Sequence, residues 1–176
     1  MSILLVVIKS LIMYTEQDIW KILETINDPE VPVLSIIDLG IIRHIVCKED
    51  ETVEIVITPT YTGCPAMDVI AMQIRMNLLQ LGIKNIQIIT VLTPTWTTDW
   101  MSELGKQKLK AYGIAPPRLQ KTVHQQHHLF VEEAPVPCPH CNSSNTQLIS
   151  QFGSTACKAL HQCKDCKEPF DYFKCH

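Results

Sequence analysis

The sequence is short of the residues that oxidoreductase chemistry is usually built from. Its six glycines stand at positions 40, 63, 82, 105, 113 and 153, too scattered for a GxGxxG turn or a phosphate-binding loop. No glutamate is followed three residues later by a histidine, so the paired Glu-x-x-His motifs of a diiron carboxylate site are missing. A strong excess of either charge is missing too. The formal net charge is −3 over 176 residues, which recruits neither nucleic acid nor an anionic membrane. The apolar run over residues 3–13 is interrupted by Lys9 and falls short of the roughly 20 residues a membrane span needs. It has no basic segment before it and no small-x-small cleavage site after it, so it does not read as a secretion signal. Residues 1–14 are expected to be a loosely attached leader or an extra strand, and the protein to be cytoplasmic, with reduced thiols.

Hydrophobic residues make up 46% of the chain and charged residues 19%, enough for a packed core. Residues 15–26 predict a helix, with Thr15 as N-cap, Asp18 three residues on, and Ile19, Ile22, Leu23 and Ile26 at helical spacing. Pro29 and Pro32 stop it. Residues 41–48 and 52–58 read as a β-hairpin turning at 49–51. Residues 65–81 form an amphipathic helix ended by Gly82, 85–92 a third strand, and 98–112 a helix ended by Gly113. The order α-β-β-α-β-α predicts an α+β domain over 15–112, with its helices on one face of a mixed sheet. Residues 113–136 lose this periodicity and are expected to be a linker, with His124, His127 and His128 as part of a polar tether.

Six of the eight cysteines lie after residue 137. Cys138-Pro139-His140-Cys141 and Cys163-Lys164-Asp165-Cys166 are two CxxC units with 21 residues between them. A two-residue spacer lets a tight turn aim both sulfurs at one ion, while N–H groups of the turn donate to them. Together the pairs close a tetrahedron, so Cys138, Cys141, Cys163 and Cys166 predict a β-rich zinc ribbon over 137–176. A rubredoxin-like iron site and a redox pair are the competing assignments; no strand–helix setting of a thiol oxidoreductase supports the latter. Forty residues bury too little apolar surface alone, so metal binding is expected to drive folding of the ribbon. On this view chelation unfolds the ribbon and leaves 15–112 intact. Lys158, Lys164, Lys167 and Lys174 lie close enough in sequence to offset a tetrathiolate's charge. With only three acids against these four lysines, the ribbon is too weakly basic for nucleic acid. Protein contact is favoured. Cys157 and Cys175 are spare.

Thr58-Pro59-Thr60-Tyr61-Thr62-Gly63-Cys64-Pro65 is a second constellation. Gly63 permits a sharp turn and Pro65 suits the first position of the next helix. Cys64 then sits at a helix start, where the dipole favours a thiolate, with the Thr60 and Thr62 hydroxyls within reach of the turn. Two readings stand side by side: a ligand for a transferable metal or cluster, or a small buried residue. Cys47, in a strand, reads as packing.

Asp28-Pro29-Glu30-Val31-Pro32, Ile37-Asp38-Leu39-Gly40 and Thr60-Tyr61-Thr62-Gly63-Cys64-Pro65, in that order, resemble the signature of the MIP18 (DUF59) family, which is associated with iron–sulfur and metal-cofactor assembly. The resemblance covers about residues 15–112. Joined to the ribbon segments 152–160 and 168–176, it is similar to the D-subunit family of bacterial phenylacetyl-CoA epoxidases. The resemblance implies a transfer site at Cys64 and Asp38 flanked by Thr60 and Thr62, with Cys157 and Cys175 as secondary candidates. It also implies resident zinc, transient iron or an iron–sulfur cluster, and oxygenase or reductase subunits as partners. The function expected is a non-catalytic maturation component of the oxygenase in aerobic phenylacetate degradation. The alternatives are a docking subunit that handles no metal and, less favoured, a nucleic-acid-binding ribbon.

Overall fold

The computed structural model describes residues 14–118 and 135–174. The leader up to residue 13, the polar tether with His124, His127 and His128, and Cys175 lie outside the described residues. Helix α1, Glu16–Leu23, opens on a capping box: Asp18 N–H donates to Thr15 Oγ1, and the Thr15 N–H and hydroxyl donate to the Asp18 carboxylate. This satisfies N–H groups that a helix start leaves without partners. The helix buries Ile19 and Leu23. The loop after it is closed on itself by the Asn27–Ser35 bridge and by Asp28 N–H donating to Leu34 O at 2.9 Å.

Strands β1 (Ile42–Cys47) and β2 (Val53–Ile57) form the expected hairpin. Strand β3 (Ile86–Thr90) pairs parallel to β2, so the sheet is mixed. Between β2 and β3 runs α2, Ala66–Gln80, which buries Ala66, Ile70, Ile74 and Leu78 at four-residue spacing. The expected helix over 98–112 is divided into a 3-10 turn at Thr98–Trp100 and helix α3, Glu103–Ala111. Ser102 makes the division, because its Oγ accepts from Gly105 N–H and caps α3. Among the described residues no helix is long and apolar enough to cross a membrane.

The linker does not begin at 113. Ile114–Ala115 is strand β4 and pairs parallel to β7, Pro169–Phe173. With β5 (Thr146–Ser150) and β6 (Lys158–Cys163), a strand the sequence pattern did not announce, they form a sheet of order β4-β7-β6-β5. The expectation of two independently folding halves is corrected as well. Ile114, Cys157 and Phe173 belong to the same buried cluster as Ile19, Leu23 and Trp96. Among the described residues, a small second cluster of Ala115, Val136, Cys138, Cys163 and Phe170 lies around the knuckles. A short ribbon cannot bury its apolar face by itself, and here the assembly domain covers it.

Candidate metal centre and thiol loop

The four knuckle cysteines converge. Their sulfurs all lie within 4.8 Å of one another, with Cys138 and Cys166 3.7 Å apart and Cys141 and Cys163 3.6 Å apart. Four thiolates about 2.3 Å from a tetrahedral ion stand about 3.8 Å apart, whereas a disulfide needs about 2.05 Å. The arrangement is that of a metal site. The turns supply N–H donors to the sulfurs as the CxxC spacing predicts: Cys166 and Asp165 to Cys163, Glu168 to Cys166, Ser143 to Cys141. Those donors hold the Cys163 thiol down at about 7. Cys166, although the Glu168 N–H pulls it down, is pushed up to about 12 by burial and by the other three sulfurs. Four crowded thiols resist ionising together, and a divalent cation removes that conflict.

Asn142 and Lys167, each directly after the second cysteine of its knuckle, take left-handed backbone with φ of 62° and 68°. Asp165 joins the knuckles, accepting from Asn145 Nδ2 at 2.7 Å and from the Ser143 hydroxyl. The expectation that Lys158 and Lys174 offset the thiolates is not met. Lys158 Nζ contacts Glu30 O at 3.5 Å and Asp171 at 3.8 Å, and Lys174 Nζ donates to Gln151 O.

The second constellation lies on the assembly domain's side of the shared core. Gly63 has φ +82°, a conformation glycine adopts without steric cost, and the turn it makes brings Cys64 to the start of α2. Thr60 is buried and Thr62 exposed. Cys64 is half-buried, and the expected low-pKa thiol is a further correction. Burial pushes its pKa up and the Glu30 and Asp28 carboxylates push the same way, against the Ala66 N–H and Tyr61. Desolvation and two like charges outweigh the helix dipole here.

Asp38 also departs from expectation. One oxygen accepts from Ser102 Oγ at 2.8 Å; the other accepts from Lys108 Nζ at 2.6 Å and from the Ser35 N–H and hydroxyl. Its carboxylate is occupied in tying α3 to the loop before β1. The carboxylates that act on Cys64 are those of Glu30 and Asp28. Asp28 is itself bound by the Glu30 and Val31 N–H groups, and burial raises its pKa. Both residues stand in the Asp28-Pro29-Glu30 segment, whose acids carry no metal-ligand spacing that would single them out in the sequence.

Comparison with known proteins agrees with this two-part build. Residues 16–88 match the family described as iron-sulfur cluster assembly protein, and residues 122–174 match the PaaD zinc beta ribbon domain. Over 159 residues the chain is 48% identical to a protein of Escherichia coli (strain K12) provisionally named as the D component of 1,2-phenylacetyl-CoA epoxidase. The match covers 90% of this chain and 92% of that one. The chain belongs to this epoxidase D-component family. Its assembly domain alone is 39% identical, over 90 residues, to an Fe-S protein maturation auxiliary factor of Porphyromonas gingivalis. That match covers 51% of this chain and 85% of the relative. A DUF59 crystal structure from Bacillus anthracis superposes with a TM-score of 0.50 at 27% identity, covering 53% of this chain and 90% of that one.

Proposed function

We propose that the chain is a non-catalytic accessory protein that helps to load or repair the metal centre of a phenylacetyl-CoA-epoxidising oxygenase, and that its ribbon holds resident zinc. The observation that carries this reading is the coexistence in one chain of two thiol sites with opposite character. The knuckles offer four converging sulfurs with N–H donors in place, a closed site that keeps its ion. Cys64 stands half-exposed beside the carboxylates of Glu30 and Asp28, an under-coordinated setting that suits a passing ion. The relatives support the direction: one is named for the epoxidase and another for iron–sulfur protein maturation. The sequence carries neither a Glu-x-x-His pair nor a nucleotide loop, which leaves hydride and oxygen chemistry to the partner subunits.

The test is to purify oxygenase and reductase from cells with and without this protein, and to assay each with the protein added back. Enzyme matured in its presence is expected to turn over without it, and enzyme matured in its absence to stay poor in metal and inactive. A stoichiometric requirement in every assay would instead favour the docking reading. Cys64→Ser separates the two readings again, because a scaffold is indifferent to it.

A further inference from the structure

We propose that the apolar leader, residues 3–13, forms a helix that lies along the outer face of α2 and runs parallel to it. The proposal is independent of the metal reading above. Helix α2 is apolar on two opposite sides. Ala66, Ile70, Ile74 and Leu78 are buried in the core, while Val69, Met72, Met76 and Leu79 form a second stripe at alternating three- and four-residue spacing. Met72 is 55% exposed, Met76 52% and Leu79 48%. Such spacing makes the seam of a helix that packs against another helix. Among the described residues that seam stays open to solvent.

The leader joins the described chain at the end of this stripe. Tyr14 is the first described residue, and its hydroxyl donates to Leu81 O at 2.8 Å, just past the C-terminal end of α2. A leader lying on α2 must therefore run along it from the side of Val69 toward Leu81, parallel to the helix. Its composition suits the face. Nine of the eleven residues 3–13 are apolar, with Lys9 and Ser10 as the exceptions, so the segment gains by leaving water.

Register and length agree with this placement. On a helix Leu4, Ile8 and Leu11 share one face, and Lys9 and Ser10 fall on the other. Their four-then-three spacing is also that of Met72, Met76 and Leu79. Laid in parallel, Leu4 meets Met72, Ile8 meets Met76 and Leu11 meets Leu79. The same register brings Tyr14 level with Gly82, beside the Leu81 carbonyl to which it is bound. A helix over 3–13 is about 16 Å long, as is the stripe over 69–79, whereas an extended leader would be about twice that. The flexible thioethers of Met72 and Met76 adapt to such a partner. The leader would also brace the helix that begins directly after the Cys64 turn.

Carbene footprinting of the full chain is the test, because a photoactivated diazirine labels accessible side chains without oxidising thiols. Met72, Met76 and Leu79 are expected to label weakly in the full chain, and severalfold more strongly once residues 2–13 are deleted. Ile8→Asp should reproduce that rise by spoiling the seam. Ser10→Asp, on the outer side, should leave labelling at the full-chain level. The near-ultraviolet signal of Trp96 reports that each variant is folded, and Ile8→Asp carries the test should the deletion lose its fold. Strong labelling of the stripe in the full chain, unchanged by deletion, would overturn the proposal. Protection that survives deletion and fades on dilution would overturn it too, assigning the stripe to a second copy. A rise confined to Ile86 and Ile88 would do the same, placing the leader on the edge strand β3. Equal responses to Ser10→Asp and Ile8→Asp would refute the helical register.

Discussion

Phe173, on the last strand of the ribbon, stands edge-on to Trp96 of the assembly domain, with ring centroids 6.3 Å apart and planes inclined at 63°. Trp96 is fully buried and its indole N–H donates to Leu39 O at 2.9 Å, while Phe173 is 2% exposed. An aromatic pair of this geometry contributes about 0.5–1.5 kcal/mol beyond the area it buries. One pair thus couples the zinc ribbon to the core of the assembly domain.

Removing zinc should therefore destabilise the whole chain. Chelation is expected to lower the thermal midpoint reported by Trp96 in the assembly domain, along with ribbon signals. Phe173→Ala should cost about 3–5 kcal/mol, since it opens a cavity in the shared core. Near-ultraviolet circular dichroism of zinc-loaded and chelated protein tests both. A Trp96 signal untouched by chelation would restore the picture of two independent units.

Asp38 should govern the acid limb of stability. Burial alone raises its pKa, but the Lys108, Ser102 and Ser35 donors more than offset this and hold it below the usual value. A carboxyl depressed in the folded state contributes stability that is present above its unfolded pKa, about 3.9. That stability is lost as pH falls through the lower folded value. Asp38→Asn should lower stability by about 2–3 kcal/mol at neutral pH and less in strong acid. Urea midpoints measured between about pH 6 and pH 2.5 should converge for the two proteins; parallel curves would contradict the assignment.

Cys64 should alkylate slowly at neutral pH and faster as pH climbs into the alkaline range, because its thiolate is disfavoured by burial and by two carboxylates. Glu30→Gln removes one of those charges and should speed labelling of Cys64 at fixed pH. Peptide mass spectrometry after a timed pulse of iodoacetamide reads both effects. A rate already at its plateau near neutral pH would mean a low-pKa thiolate.

Asp165→Ala should loosen the four-cysteine metal site without removing any of its sulfurs. The residue ties Ser143 and Asn145 of the first knuckle to the second. Losing a group that orients metal ligands commonly costs about 10–100-fold in metal affinity. Competition with a chromophoric chelator measures the ratio, and an unchanged affinity would show that the knuckles hold their register alone.

What could be read in the sequence was local. The CxxC spacing announced the four sulfurs, because each pair is set by its own tight turn. Thr15 with Asp18, the 41–58 hairpin and the four-residue period of α2 were readable for the same reason. What escaped was set by partners far along the chain. Asp38 is held by Ser102 and Lys108, 64 and 70 residues away, so its motif could not reveal that the carboxylate was occupied. Cys157 meets Glu30 across 127 residues. Burial beside Glu30 and Asp28 reversed the thiolate expected of Cys64, and no helix-start signature carries that information. Ile114-Ala115 is too short a run to read as a strand without β7 beside it.

The parallel pairing of β4 with β7 bears on how this ribbon can be handled as a module. One of the two edge strands of its sheet is supplied by the chain leaving α3, before the first knuckle begins. Excised at residue 135, the ribbon would keep all four knuckle cysteines yet bare the hydrogen-bonding groups of β7 that Ile114 and Ala115 now cover. It would also uncover Phe173. An unprotected strand edge beside an exposed aromatic is a template for joining another chain, so the isolated ribbon should self-associate even when fully metallated. Transplanting it onto another protein would have to begin no later than Gly113.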